Sequence, residues 1–260
     1  MDVITEHSVG DRLIHGAGTA SKDWLNWSGL HQLKPLHLIK RFPEGKRIII
    51  IAPHPDDEIL GCAGLLQQLA ALKRDIILVA VSNGTQSHPD SRLYTPEQLN
   101  WIRPAETQHA LDTLGISHTV KRIALNLMDG EITQQKDQLH QALTALIGAD
   151  DILISTFDKD GHPDHEATGQ VVQKLANDMH LVCYQMLIWA WHWAMPNDKR
   201  IPWQKMLKLP LTAQQLQHKN KAISCFKSQL EVDHSTAQPP VLSKRTIQRI
   251  LMPYEVYLCG

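Results

Sequence analysis

Residues 48–58 read Ile48-Ile49-Ile50-Ile51-Ala52-Pro53-His54-Pro55-Asp56-Asp57-Glu58, and this stretch decides the fold. Four consecutive isoleucines predict a strand buried on both faces, as in the middle of a parallel sheet. Pro53 and Pro55 stop the strand and stiffen a turn that carries His54, Asp56 and Asp57. Beyond Glu58 the apolar residues Ile59, Cys62, Leu65, Leu66, Leu69 and Leu72 recur at helical spacing, so a helix begins there. Ionisable groups thus lie just past the carboxyl end of a central strand, where open α/β sheets bind ligands.

Working outward, the same alternation recurs. Strands are predicted over 75–82, 118–125, 151–157 and 181–188. Helices are predicted from Pro96 to about Leu114, over 132–147 and from about 165 to Ala176. Five strand–helix alternations imply an α/β fold with a Rossmann-like, doubly wound, mostly parallel sheet. Residues 1–45 are weakly periodic and read as an N-terminal extension packed on the domain, with one short helix near 21–33. Residues 46–260 form a single domain, its later part carrying a strand at 206–211, a long helix over 212–230 capped by Thr212, and a last strand at 254–258.

The composition bounds the function. With 43% hydrophobic residues and a mean hydropathy of -0.25, the chain has an ordinary globular composition. A net charge of -1 argues against a general nucleic-acid or membrane-surface binder. The four cysteines are scattered with no C-x-x-C pair, which fits buried thiols in a reducing, cytoplasmic setting. The first residues lack the pattern of a signal peptide, and no apolar run has the roughly 20 residues of a membrane span.

Two segments repeat one plan of buried strand, proline-containing turn with His and Asp, then helix. His54 and Asp57 stand on the first turn; His162, Asp164 and His165 stand on the second. In a parallel sheet both turns open on the same edge. Two imidazoles and a carboxylate from such turns suit Zn²⁺ or Fe²⁺, with positions left for water and substrate. Taken singly, each turn has a plainer reading, in which its acids answer the helix dipole and cap free N–H groups.

Pro53-His54-Pro55-Asp56-Asp57-Glu58 with Gly161-His162-Pro163-Asp164-His165-Glu166 resembles the PIG-L/LmbE family of metal-dependent N-deacetylases, which act on N-acetylglucosamine attached to inositol, malate, lipid or antibiotic aglycones. The resemblance spans about 47–176 strongly and continues more weakly through 221–229 and Pro253-Tyr254-Glu255-Val256. It implies that His54, Asp57 and His165 bind Zn²⁺, with Fe²⁺ as the alternative. It implies that Asp56 is the general base, that His162 stabilises the oxyanion or protonates the leaving amine, and that Asp164 orients His162. Some members carry a Tyr two residues before that His to polarise the carbonyl; Asp160 stands there in this chain, so that role does not carry over.

Substrate contacts are less distinct. Arg103 and Glu106 match an Arg-x-x-Glu whose Arg lies near the sugar in the family, and they read equally well as a surface i,i+3 ion pair. Asp129 matches an Asp-Gly thought to hold sugar hydroxyls, or is a plain turn. Trp189, Trp191 and Trp193 would share one face of a strand. That stripe reads first as core or subunit interface and second as a platform for a sugar, with Trp191 as its contact residue. His192 reads as structural, and Ser82 and Asn83 lie at the predicted pocket edge.

The function expected is hydrolysis of an N-acetyl group on a small amino-sugar conjugate or glycan. Alternatives are a metal amidase acting on a non-sugar N-acyl conjugate and a non-catalytic α/β binding module. Phosphate-ester cleavage is disfavoured because no Gly-rich phosphate cradle is visible. No nucleic-acid partner or membrane span is expected, and a homo-oligomer is compatible with the sequence.

Overall fold

The isoleucine run is a strand without exposed side chains, Ile48 to Ile51 each being 0% exposed. A computed structural model describes residues 8–260. The chain opens with β1 (Ser8–Val9), β2 (Arg12–Leu13), α1 (Ser21–Asn26), α2 (Ser28–His31), β3 (Lys34–Pro35) and α3 (Leu38–Arg41). The alternating part runs β4 (Arg47–Ala52), α4 (Asp57–Ala71), β5 (Asp75–Ser82), α5 (Pro96–Thr113), β6 (Val120–Leu127), α6 (Lys136–Leu146), β7 (Ile152–Thr156), α7 (Pro163–Asp178) and β8 (Val182–Met186). It closes with α8 (Ala190–Trp193), β9 (Met206–Pro210), α9 (Ala213–Ile223), α10 (Lys227–Leu230), α11 (Lys244–Ile250) and β10 (Tyr254–Cys259).

The main sheet has the order β3-β9-β10-β8-β7-β4-β5-β6. From β8 through β6 all neighbours are parallel, while β10 is antiparallel to both β8 and β9. The sheet is therefore mostly parallel, as expected. Pleating divides the isoleucines between two apolar layers. Ile48 and Ile50 join a layer with Trp24, Phe42, Leu66 and Phe226, and Ile49 and Ile51 join one with Leu139, Leu143, Val172 and Leu175. Burying each such side chain contributes roughly 1.5–3 kcal/mol.

The topology positions the site. The chain winds from β4 outward to β5 and β6, then returns to lay β7 on the other side of β4. The turns after β4 and β7 are therefore neighbours at the point where strand order reverses.

Several boundaries differ from expectation, each for a local reason. The third strand starts at Val120, because 116–120 close a turn with Thr119 N and Val120 N both donating to Ile116 O. The helix expected from 132 starts at Lys136, since Ile132 N donates to the Asp164 carboxylate instead. The helix expected over 212–230 is two helices, α9 and α10, with Glu106 accepting from the backbone and hydroxyl of Ser228 at the start of the second. The run 189–193 is a helical turn rather than a strand, because Asp160 accepts from Ile188 N, Trp189 N and Ala190 N. The single helix expected near 21–33 is the pair α1 and α2.

Of the segment 1–45, residues 1–7 lie outside the described residues. The remainder does more than cover the surface. Trp24, Leu30 and Phe42 are 0% exposed within the core, and β3 extends the sheet beside β9.

Candidate metal centre

The first turn leaves β4 through Pro53, His54 and Pro55 and enters α4 at Asp57. Asp56, the residue before the helix, has φ 128° and ψ -31°, a conformation that side chains seldom adopt. Such strain costs about 1–3 kcal/mol and persists only where surroundings impose it. Here Asp56 N donates to Glu58 Oε2 at 3.1 Å, and Asp56 O accepts from Ile59 N and Leu60 N. Thr107 Oγ1 holds the other oxygen of the buried Glu58 at 2.9 Å.

The second turn leaves β7 and enters α7 with His162 as N-cap and Pro163 at its first position, where a missing N–H costs nothing. His162 Nδ1 accepts from Asp164 N at 3.2 Å, so neutral His162 carries its proton on Nε2. His165 sits one turn into the helix, 1% exposed.

The two turns meet around Asp57. Its Oδ2 is 3.3 Å from His54 Nδ1 and its Oδ1 is 3.3 Å from His165 Nε2. Donor atoms of His54, Asp57 and His165 all lie within 4.8 Å of one another, and all three residues are buried. His54, His162 and Asp164 form a second, overlapping group of the same kind. The arrangement is one that could hold a metal ion.

Each ring is oriented from behind by a carboxylate, as metal-ligating histidines usually are. His165 Nδ1 lies 2.8 Å from Asp160 Oδ2. His54 Nε2 lies 3.1 Å from Asp129 Oδ1 and 3.2 Å from Asp164 Oδ2. Asp129 is itself held by Gln86 N, and Asp164 by Gly130 N and Ile132 N.

The charges press on one another. Burial lowers the affinity of His165 for a proton, yet Asp57 and Asp160 outweigh it and raise its pKa to about 9. Burial would raise the Asp57 carboxyl, but His165 and His54 hold it well below the usual range. Asp56 is pushed up to about 8 by burial, against the opposing charge of Arg103. Arg103 donates to Asp56 Oδ2 at 3.0 Å and to the carbonyls of Pro55 and Gly84.

A cleft opens over this cluster, lined by polar residues that include Asp56, Arg103, Asp129 and His162 and by apolar ones that include Ile14, Leu60, Trp189 and Leu242. The expected site residues thus fall into three groups. His54, Asp56, Asp57, His162, Asp164 and His165 are brought together, and Arg103 and Asp129 line the same cleft. Trp191 does not reach it. It is 5% exposed and packs edge-on against Trp24 at 5.0 Å, because the run is helical and turns this indole inward. Trp189 is the indole at the cleft, and Trp193 packs against Gly161 and donates to Asp160 O. His192 is structural, bonded to His15 O and Arg249.

Other placements depart from the sequence reading. Arg103 and Glu106 are both buried and take different partners, Asp56 and Ser228, rather than forming a surface pair. The Asp164 carboxylate bonds His54 and two backbone amides, while it is the backbone N–H of Asp164 that donates to His162 Nδ1. Asp160, which sequence comparison marked only as a departure, orients His165. Glu58 and the Arg12–Glu166 pair, bidentate at 2.8 and 2.9 Å, were not anticipated. The available signal was acids in the first turns of α4 and α7, which capping alone would also explain.

The sequence profile of the family described as PIG-L: GlcNAc-PI de-N-acetylase matches residues 49–176, from within β4 to near the end of α7. The segment carrying both turns is thus similar to the PIG-L family. A diacetylchitobiose deacetylase of Thermococcus kodakarensis is 26% identical over 133 residues, 49% of this chain and 48% of the relative. The chain thus spans about half the length of the curated relative it matches. Among solved structures, N,N'-diacetylchitobiose deacetylase from Pyrococcus horikoshii, with an inhibitor bound, superposes with a TM-score of 0.56 at 21% identity, over 86% of this chain and 87% of that one. A triple mutant of a deacetylase from the teicoplanin biosynthetic pathway gives 0.59 at 15% identity, over 83% and 98%. At such identities the likeness is one of fold, and both turns of the PIG-L match fall on the metal-centre cluster.

Proposed function

We propose that the chain is a metal-dependent N-deacetylase acting on an N-acetylglucosamine-containing conjugate or glycan. The observation that carries this reading is the convergence of His54, Asp57 and His165, with the non-ligating carboxylate of Asp56 beside them in an open cleft. The match of residues 49–176 to the PIG-L profile and the similarity to a diacetylchitobiose deacetylase support the amino-sugar class.

The residues fit a divalent ion. Two imidazoles and a carboxylate, each offering a ligand atom within 4.8 Å of the other two and all buried, would hold it. Two imidazoles and one carboxylate are the donors of an open catalytic Zn²⁺ site, with Fe²⁺ next in suitability. When bound, such an ion supplies Lewis acidity that polarises an amide carbonyl and makes water a stronger acid.

The chain's own side chains do the rest. Asp56 receives the proton of the attacking water, held for that task by Arg103 on one oxygen and by the strained turn beneath it. A positioned base of this kind contributes roughly 10²–10⁴-fold. His162, with its proton on Nε2, donates to the developing oxyanion or to the departing amine. Asp160 is fully engaged by His165 and three backbone amides, so it takes no part at the carbonyl. Arg103 and Asp129 line the cleft and would meet sugar hydroxyls there.

The test is incubation with N,N'-diacetylchitobiose and a panel of N-acetylglucosamine conjugates, reading acetate and free amine with and without a chelator. Chelator-sensitive release is expected. Release from non-sugar N-acyl amides alone, or turnover indifferent to chelation, would overturn the reading.

A further inference from the structure

Between α5 and the edge strand β6 lies a second cavity of about 500 Å³, lined by Asn83, Asn100, Trp101, Arg122 and Asn126 among others. It is separate from the metal cleft, although Asn83 adjoins Gly84, whose carbonyl accepts from Arg103. Its cation is under-employed. Arg12, Arg47 and Arg103 each pair with a carboxylate, whereas Arg122 makes no ion pair among the described residues. Among the described residues, the buried Arg122 Nε has no hydrogen-bond partner, and the one hydrogen bond of its guanidinium runs from Nη2 to Asn83 Oδ1 at 3.4 Å.

That bond fixes the direction of a whole chain of amides. A guanidinium only donates, so Asn83 must turn its oxygen to Arg122 and its nitrogen away. Asn83 Nδ2 then donates to Asn100 Oδ1 at 2.9 Å and to Asn126 Oδ1 at 3.0 Å. Each of the three side-chain carbonyls thus already accepts one hydrogen bond, while the side-chain N–H groups of Asn100 and Asn126 and most of those of Arg122 remain to donate. The backbone is specialised at the same place. Asn126 has φ 55°, and the β5–β6 register shifts between Ala80 and Ser82. Trp101 stands at the cavity 77% exposed.

We propose that this cavity binds a small molecule through a carboxylate or phosphate group, held by Arg122 and the amide N–H groups of Asn100 and Asn126, with Trp101 lying along the remainder of the ligand. A lining rich in N–H donors around a planar guanidinium suits an oxyanion, and an exposed indole offers a flat apolar face. The acidic group belongs either to a substrate whose neutral part occupies the metal cleft or to a separate ligand.

Calorimetric titration of the metal-loaded protein with inorganic phosphate and with glucuronate tests this directly and does not depend on deacetylase activity. Arg122→Gln and Asn126→Asp, the latter placing a carboxylate among the donors, should each weaken binding at least tenfold; thermal midpoints near wild type would show that both variants fold. Phosphate bound at the metal centre would be unaffected by either change. No binding to the wild type at millimolar concentration, or equal binding by Arg122→Gln, overturns the proposal. The source of the acid is read from kinetics. A KM raised by Arg122→Gln for N-acetylglucosamine 1-phosphate but not for neutral N,N'-diacetylchitobiose assigns the site to the substrate. Binding lost with both KM values equally affected assigns it to a separate ligand. Absence of turnover with either sugar would count against the deacetylase reading alone.

Discussion

Asp56 holds the least comfortable backbone in the site, with φ at 128° and Arg103 drawn against its carboxylate. Asn tolerates such conformations better than most residues and keeps the shape while losing the base. Asp56→Asn should therefore retain metal and lose roughly 10²–10⁴-fold in kcat, measured by acetate release alongside metal content. His165→Ala should lose the metal itself. Asp160→Asn should bind it roughly 10–100-fold more weakly in a chelator competition, since the carboxylate behind His165 sets its tautomer and orientation. Protons compete for the same nitrogen. With the folded pKa of His165 raised to about 9 from 6.5, its ion pairs stabilise the metal-free fold fully below about 6.5 and are lost as pH rises through about 9. A metal needs the neutral ring, so its affinity should climb with pH over that same window. Thermal melts with and without metal, taken from pH 6 to 9, should show the metal-induced increment growing. A constant increment would contradict this.

At the scale of elements, the strands were legible and several helix limits were not. Buried parallel strands declare themselves through runs such as Ile48–Ile51 or 76–81, because both faces must be apolar. The misjudged helices share one cause. Asp160, Asp164 and Glu106 each capture backbone amides far away in sequence, and those captures start α8, delay α6 and start α10. No local periodicity encodes a carboxylate arriving from elsewhere. A fourth capture joins α4 to β10. Glu255 accepts from Gly64 N and Leu65 N and pairs with Lys219 at 2.7 Å, with Tyr257 Oη donating to the same carboxylate and near Gly61 O. Lys219 and Glu255 are 1% and 5% exposed. Lys219→Met would strand a buried carboxylate and should cost about 3–5 kcal/mol in urea unfolding.

For the whole molecule, the reversal of strand order between β5 and β7 about β4 is what makes one site out of two turns. An ion gripped from both turns binds the folded chain and not the unfolded one. At a hundredfold excess over its dissociation constant it should add about 2.7 kcal/mol to stability, seen as a higher melting temperature that a chelator removes. Close packing supports the geometry from the second layer. A methyl at Gly169 on α7 would fall 2.6 Å from Thr156 O in β7, so Gly169→Ala should push the helix bearing His165 off its strand. Weaker metal binding with native secondary structure by circular dichroism would be the sign.

The residue types and spacing of the two turns belong to the sequence alone, as do the buried strands before them, because apolar runs and Pro-His-Asp punctuation are local chemistry. Only the tertiary structure decided which carboxylate serves which ring, that Arg103 faces Asp56 rather than Glu106, and that Trp189 rather than Trp191 meets the cleft. Those outcomes depend on side chains up to about a hundred residues apart competing for the same few buried donors. That competition is settled by packing, where an unpaired charge costs far more than a misplaced helix boundary.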